Sequence, residues 1–296
     1  MTKRYVVTGR EGQVVRSLIE RASTSSNIEI IPLGRPELEL ADPLAVAGAL
    51  EAARPDVIIS AAAYTAVDQA ESEEALASVI NAQSPGIIAA TAKRLGVPLV
   101  HISTDYVFDG EKNGPYSETD AVAPLGAYGR TKLAGELAIA SATENYAILR
   151  TAWVYSPYGK NFLRTMLRLA ETRDNVSVVA DQVGNPTSAL DIADGILKVA
   201  GNLCVSDDLR LRGVFHMTAA GEASWADFAD EIFRHSKKYN GPSASVNRIT
   251  TMDYPTPAKR PKNSRLNCTK LSSTHDVILP HWRTSTEAVV ASLAIQ

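Results

Sequence analysis

Along the first half of the chain, short apolar runs alternate with longer segments whose apolar positions recur at helical spacing. Arg4 to Thr8 is a β-branched run that turns, through Gly9-Arg10-Glu11-Gly12-Gln13, into a helix-like segment ending near Ala22. Ile28 to Leu33 reads as a second strand, and Pro43 to Ala53 as a helix with proline in its first turn, where its missing N–H costs nothing. Asp56 to Ser60 is a third strand, running into Ala61-Ala62-Ala63. Ser84 to Leu95 is helical and is closed by Gly96 and Pro98. Leu99 to Ser103 is a fourth strand, a helix carrying Tyr128 and continuing through Leu133 to Ala140 follows, and Tyr146 to Thr151 is a fifth strand. The strands are nearly continuous in apolar character, as in a parallel sheet covered on both faces. Five strands alternating with helices predict a doubly wound α/β domain with right-handed crossovers.

After Thr151 the rhythm loosens. Asn161 to Thr172 is amphipathic, Val176 to Ala180 reads as a strand, Asp191 to Ala200 as a helix and Gly213 to Met217 as a strand. Ser224 followed by Asp227 forms a capping box with Asp in place of the usual Glu, opening a helix through Phe228 and Phe233. Asn240 to Arg265 is rich in Pro, Ser and Thr and reads as irregular loop, and Thr284 to Leu293 as a closing helix. The expected organisation is a dinucleotide-binding part over residues 1–152 and a smaller, mainly substrate-binding lobe over 153–296. The lobes are interleaved, elements of about 176–200 returning to the first part, and no long linker separates them.

Composition changes this picture little. The chain has 296 residues, 45% of them hydrophobic and 21% charged, which is ordinary for a globular protein with a sizeable core. A formal net charge of -3 gives no reason to expect nucleic acid or an anionic membrane as partner. The two cysteines, Cys204 and Cys268, make neither a disulfide framework nor a metal cluster. The basic Met1 to Arg4 precedes an apolar run too short for a signal sequence, and no stretch reaches the ~20 apolar residues needed to span a bilayer. These features predict a cytoplasmic protein.

Candidate chemistry gathers at the strand ends. Glycines at 9 and 12, between the first strand and first helix, permit a tight turn and let a pyrophosphate approach backbone N–H groups at the positive helix end. Val15 stands where a third glycine would fall, which suggests looser helix–sheet packing there. The motif predicts a Rossmann-like dinucleotide site. The second strand ends in Leu33-Gly34-Arg35, with no acid until Glu37 and Glu39. An acid there binds the ribose 2′-hydroxyl of NAD and an arginine accommodates the 2′-phosphate of NADP, so Arg35 points to NADPH, with NADH the alternative; Arg35 equally fits a solvated loop cation. Small residues at 61–63 suit either close cofactor approach or ordinary core. His101-Ile102-Ser103-Thr104-Asp105-Tyr106 ends the fourth strand at the carboxyl edge, where open α/β sheets bind ligands. The Thr104 hydroxyl can bond a substrate carbonyl oxygen or simply close the strand end. Tyr128 and Lys132, four apart on a helix, share a face, and an ammonium beside a phenol favours phenolate; the spacing also arises by accident on amphipathic helices. Lys259, Arg260, Lys262 and Arg265 place four cations in one irregular segment, suited to a diphosphate or to solvent.

Taken together, Thr-Gly-x-x-Gly at 8–12, Ala-Ala-Ala-Tyr-Thr at 61–65, Ser-Thr-Asp-Tyr-Val-Phe-Asp-Gly at 103–110 and Tyr-Gly-x-x-Lys at 128–132 resemble the extended short-chain dehydrogenase/reductases. Within them the chain is most similar to the dTDP-4-dehydrorhamnose reductase group, through Arg150 to Tyr155, Asn161-Phe162, Asp181 to Thr187 and Pro257 to Pro261 with Ser264 and Leu266. The resemblance covers nearly the whole chain. It implies NADPH-dependent reduction (NADH as the alternative) of the 4-keto group of a nucleotide sugar, with Tyr128 as proton donor, Lys132 binding the nicotinamide ribose and lowering the tyrosine pKa, and Thr104 completing the triad. It further implies that Gly12, Gln13, Val14, Glu39, Leu40, Ala63, Tyr64 and Thr65 line the cofactor beside Gly9 and Arg35, and that Thr104, Asp105, Trp153 and Asn161 hold the nucleotide sugar, with Arg260 of the cationic segment on its diphosphate. Some members bridge two subunits through a magnesium ion on glutamates. The matching positions here are Ser17, Leu190 and a closing helix with Glu287 as its acid, so no metal and a monomer or weak homodimer are expected. Two rivals remain. A dehydratase or epimerase would share the fold, and such dehydratases pair the Thr-Asp with a following Glu, where this chain has Tyr106. A non-catalytic NADP-binding subunit, similar to the regulatory subunit of methionine adenosyltransferase, would share the fold.

Overall fold

In the computed structural model, which describes residues 2–294, the first half runs β1 (Lys3–Thr8), α1 (Gln13–Ala22), β2 (Ile28–Leu33), α2 (Pro43–Ala53), β3 (Val57–Ser60), α3 (Val67–Ala70), α4 (Glu74–Ser78), α5 (Ser84–Leu95), β4 (Leu99–Thr104), α6 (Ala127–Ala142) and β5 (Tyr146–Thr151). A π turn over Val79–Gln83 joins α4 to α5. The second half adds β6 (Val154–Tyr155), α7 (Phe162–Ala170), β7 (Asn175–Val179), β8 (Val183–Gly184), β9 (Thr187–Ser188), α8 (Ala189–Val205) and β10 (Gly213–His216). It closes with β11 (Ala223–Ser224), α9 (Trp225–Lys238), β12 (Ser245–Ile249), α10 (Thr269–His275) and α11 (Trp282–Ala294).

Six strands form one sheet in the order β10-β5-β4-β3-β1-β2, every pairing parallel. Successive side chains of a strand face opposite ways, and here both faces are covered. Tyr5, Val7, Val57 and Ile59 pack with Ile192, Ile196 and Val199 of α8 on one side. Val6 and Ile58 pack with Val46, Leu50, Ile88 and Ile139 on the other. This is why the strands read as unbroken apolar runs. Strand order reverses between β1 and β3, the place where such sheets open a crevice. The Thr8 hydroxyl ties the two strand ends together there, accepting from the Ala61 and Ala62 N–H groups at 3.0 Å each.

The structure differs from the sequence reading in three places. The Val176 strand does not return to the large sheet: β7 pairs in parallel with β12. β12 itself lies inside the stretch taken as irregular. Its residues are largely exposed, so it shows no apolar run, and flanking Pro and Ser residues hide it. What returns to the first part is α8, packed against α1, and β10, hydrogen-bonded to β5 at the sheet edge. Packing at the glycine turn is also not loose, because Val15 is fully buried with Tyr5, Val7 and Leu18.

A second core joins Tyr155, Leu163, Met166, Val176 and Val178 to Phe228, Ile232 and Trp282. It holds α7, α9, α11 and β7 together beyond the carboxyl ends of the large sheet. The Ser224–Asp227 capping box opens α9 as its spacing predicts. No helix among the described residues is long and apolar enough to cross a membrane.

Candidate active site

The carboxyl ends of β1, β3 and β4 face the second core across a cleft of about 1350 Å³. Gly9, Gly12, Gln13, Val14, Ala63, Thr65, Thr104, Asp105, Tyr128, Lys132, Trp153 and Arg260 line it, bringing the two halves of the sequence to one place.

On the β1 side, Gly9 has φ +98°, a conformation that side chains rarely adopt, and an added Cβ would press on Ala62 and Val15 at 3.3 Å. Gly12 is the N-cap of α1 and has no side chain with which to cap it, so the first-turn N–H groups face the cleft as an anion site. Alanines at 61–63 form the opposite wall. These residues fit a dinucleotide pyrophosphate. Gln13 is fixed by the second half, its carbonyl oxygen accepting from Ser156 and Asn161 at 2.9 Å each.

On the β4 side, Tyr128 and Lys132 sit in the first two turns of α6, which starts at Ala127 and takes the Glu71 carboxylate on its first N–H at 2.8 Å. The helix can approach because residue 129 is glycine: a Cβ there would lie 2.2 Å from the Tyr106 carbonyl oxygen. Gly129→Ala is therefore expected to cost about 1–3 kcal/mol of stability by overpacking and to lower turnover, with urea unfolding and steady-state rates as the two measurements.

Burial pushes the Tyr128 phenol above its ordinary value near 10, with the Thr104 hydroxyl working the other way. Lys132 is not among the groups that move the phenol; its ammonium donates to the Ile102 carbonyl at 2.7 Å and meets His101 Nε2 at 3.1 Å. The phenol is thus a firm proton holder at neutral pH, contrary to the lowered pKa that the resemblance implied. Burial brings Lys132 itself down to about 8, the Glu136 carboxylate pulling it back up.

Thr104 gives its proton to Asp105 Oδ1 at 3.0 Å and accepts from the Tyr106 N–H at 3.2 Å. A bond from that hydroxyl to a substrate carbonyl therefore requires Asp105 to release it. Asp105 is 3% exposed, burial lifts its carboxyl to about 6, and its Oδ2 finds no partner among the described residues. An orphaned acceptor in a cleft wall is suited to a ligand hydroxyl.

Of the four clustered cations, Arg260 alone lines the cleft. Its guanidinium pairs with Asp68 at 2.7 Å and lies 6.0 Å over the Tyr106 ring. Arg265 turns away to Glu222 and the Asn113 carbonyl, so the segment does not converge on one anion. Trp153 adopts φ +50°, unusual for a bulky residue, and stacks on Trp225 with centroids 3.6 Å apart. Gln182 holds the Trp225 indole N–H at 3.2 Å, and Gly184 lies so close beneath Trp153 that a Cβ would come within 2.5 Å. That packing accounts for the Gln-Val-Gly of the 181–187 motif.

Five expected site residues lie outside the cleft lining. Arg35 is exposed and pairs with Glu39 at 3.6 Å. Glu39 also takes the Ala41 N–H, and Leu40 is buried with its carbonyl on Ser84. Tyr64 is held by Asn81 and Glu73. Asn161 spends its whole amide on capping α7 and on Gln13, Ser156 and Tyr158. Residues that the sequence reading passed over include Arg10, paired with Glu37 at 2.6 Å across Gly34, and Gln182 and Trp225 in the far wall. Arg10 stands inside the glycine turn, where its position was the available signal.

Comparison with known proteins follows the same lines. The family model described as RmlD substrate binding domain matches residues 3–295. A dTDP-4-dehydrorhamnose reductase of Sinorhizobium fredii is 48% identical over 293 residues, covering 99% of this chain and 98% of the relative. Among solved structures, a dTDP-4-dehydrorhamnose reductase of Clostridium acetobutylicum superposes with TM-score 0.91 at 41% identity, covering 98% of this chain and 99% of the other. That of Bacillus anthracis, solved in complex with NADP, gives TM-score 0.91 at 35% identity over 99% of this chain and 100% of the other.

Proposed function

This chain belongs to the dTDP-4-dehydrorhamnose reductase family, and from that membership we propose that it reduces dTDP-4-dehydro-L-rhamnose to dTDP-L-rhamnose with NADPH. The observation that carries the reading is the buried Tyr128 beside Thr104, across the cleft from an uncapped helix N-terminus. When bound, the cofactor supplies a hydride to C4 of the sugar. Tyr128 gives its proton to the oxygen that becomes an alkoxide there, and Lys132 keeps a positive charge close to that turn of α6. Asp105 Oδ2 accepts a sugar hydroxyl, and the Thr104 hydroxyl rotates from Asp105 Oδ1 to donate to the C4 oxygen. Trp153, steadied by Trp225, supplies a flat wall to the sugar. Arg260 exchanges Asp68 for the substrate diphosphate, a stronger bidentate partner.

The reading assigns residues 1–152, together with α8, to the cofactor and most of 153–296 to the sugar nucleotide. It carries with it a cytoplasmic monomer or weak homodimer, measurable by light scattering. Substrate-dependent oxidation of NADPH tests it. No oxidation with dTDP-4-dehydro-L-rhamnose, alongside tight capture of a protein partner, would favour the non-catalytic subunit. Tyr106 has no carboxylate to drive dehydration, which sets the dehydratase reading behind the reductase.

Arg10, whose side chain lies against Gly34 at the end of β2, supports NADPH over NADH. Arg10→Ala is expected to raise KM for NADPH about tenfold, a charge-assisted bond lost, and to leave KM for NADH unchanged. Equal effects on the two cofactors would remove Arg10 from 2′-phosphate recognition.

A further inference from the structure

Beneath the cleft, His101 of β4 is buried and joins two groups. Its Nε2 lies 3.1 Å from Lys132 Nζ and its Nδ1 lies 3.0 Å from the Ser60 hydroxyl at the end of β3. Burial and the neighbouring lysine hold the imidazole neutral. An ammonium only donates, so a charged Lys132 requires a bare Nε2, and the ring proton then sits on Nδ1 and goes to Ser60. Lys132 has three N–H bonds. One goes to the Ile102 carbonyl at 2.7 Å and one to His101, both on the strand side, which leaves the third for the cleft that Lys132 lines. We propose that His101 is a positioning residue, the acceptor that keeps Lys132 charged and turns its remaining N–H toward the cofactor and Tyr128. The inference rests on the reduction proposed above.

The other charged and titratable groups near this end of α6 are Tyr128 and Glu136 on the helix itself, Asp105 and Tyr106 after β4, and Arg150 of β5, which is paired with Glu136. The π turn contributes Asn81, which is uncharged and bonded to Thr131 and Tyr64. None of these replaces His101 as an acceptor on the Lys132 ammonium.

Two polar substitutions separate positioning from structure, because each keeps one of the two contacts. The glutamine side chain reaches to about the Nε2 position and can accept from Lys132. Asparagine stops near Nδ1 and can serve only Ser60. His101→Gln is expected to keep kcat within about threefold of native and to keep the alkaline limb of the pH–rate profile. His101→Asn is expected to lower kcat about tenfold and to move that limb down by about one pH unit, since losing an acceptor makes the buried ammonium more acidic. The reverse order, or equal behaviour with an unmoved limb, would overturn the proposal in favour of a tie between β3 and β4. Native protein in the same assay guards the larger reading: if it does not oxidise NADPH, the reduction itself fails. Nitrogen-15 NMR of the native imidazole gives a readout without variants or turnover. A bare, hydrogen-bonded Nε2 through neutral pH is expected, and a protonated Nε2 sinks the proposal.

Discussion

Tyr128→Phe is expected to lower kcat by about 10²–10⁴-fold, the usual range for a positioned acid, while NADPH and the nucleotide sugar still bind. Phenylalanine fills the same buried space, so the loss isolates one hydroxyl. That hydroxyl contributes only when the C4 oxygen becomes an alkoxide, so kcat and kcat/KM should fall together. The geometry gives a reason for the size of the effect. Burial holds the phenol in its protonated form, whereas the developing alkoxide is a far stronger base than the ground-state carbonyl. Proton transfer is therefore favourable at the transition state and costs nothing before it. Water can replace the phenol only by entering a wall closed by Thr104, Tyr106 and α6, where the Tyr106 ring meets Tyr128 edge-on at 5.5 Å. Steady-state rates and quenching of tyrosine and tryptophan fluorescence by NADPH check the two halves. Near-native turnover in the variant would mean that another group delivers the proton.

The reasons that these residues were visible in the sequence are physical. The sheet could be read because both of its faces are buried, which leaves Val6, Ile58 and Leu99 no polar neighbours to interrupt the pattern. Gly9 and Thr104 lie at or just after strand ends, and Tyr128 and Lys132 open the helix that follows β4, so their order along the chain already placed them on one edge. The far wall was hidden. Trp225 is the first residue of a helix whose capping box is plain, but its stacking on Trp153 depends on how the second core folds back over the sheet. Asn161 looked like a ligand residue and is a cap, since an asparagine before a helix suits both roles. The fate of Lys132 was also beyond spacing rules. Only the fold shows His101 within reach of its ammonium.

The second large effect lies one turn of α6 beyond Lys132. Arg150 of β5 grips both oxygens of Glu136, at 2.9 and 2.6 Å, and the side chains are 5% and 4% exposed. Ser103, the residue before Thr104, adds a hydroxyl to the same carboxylate at 2.5 Å. The pair thus fastens the proton-handling helix to the strand end that faces it. Desolvating two charges offsets much of their attraction, so the net worth of the pair is modest while the cost of breaking it is not. Arg150→Met keeps apolar contact with Phe108, over whose ring the guanidinium lies at 5.1 Å, but strands a buried carboxylate with one hydroxyl. A loss of about 3–5 kcal/mol in urea unfolding is expected, a large share of the ~5–15 kcal/mol that holds a typical domain. Arg150→Met combined with Glu136→Leu should recover most of it, because no charge is then left unpaired. Turnover of the double variant should stay below native, since the link from α6 to Ser103 is gone. A single variant that loses less than ~1 kcal/mol would instead show that Glu136 takes up a proton or water in the gap.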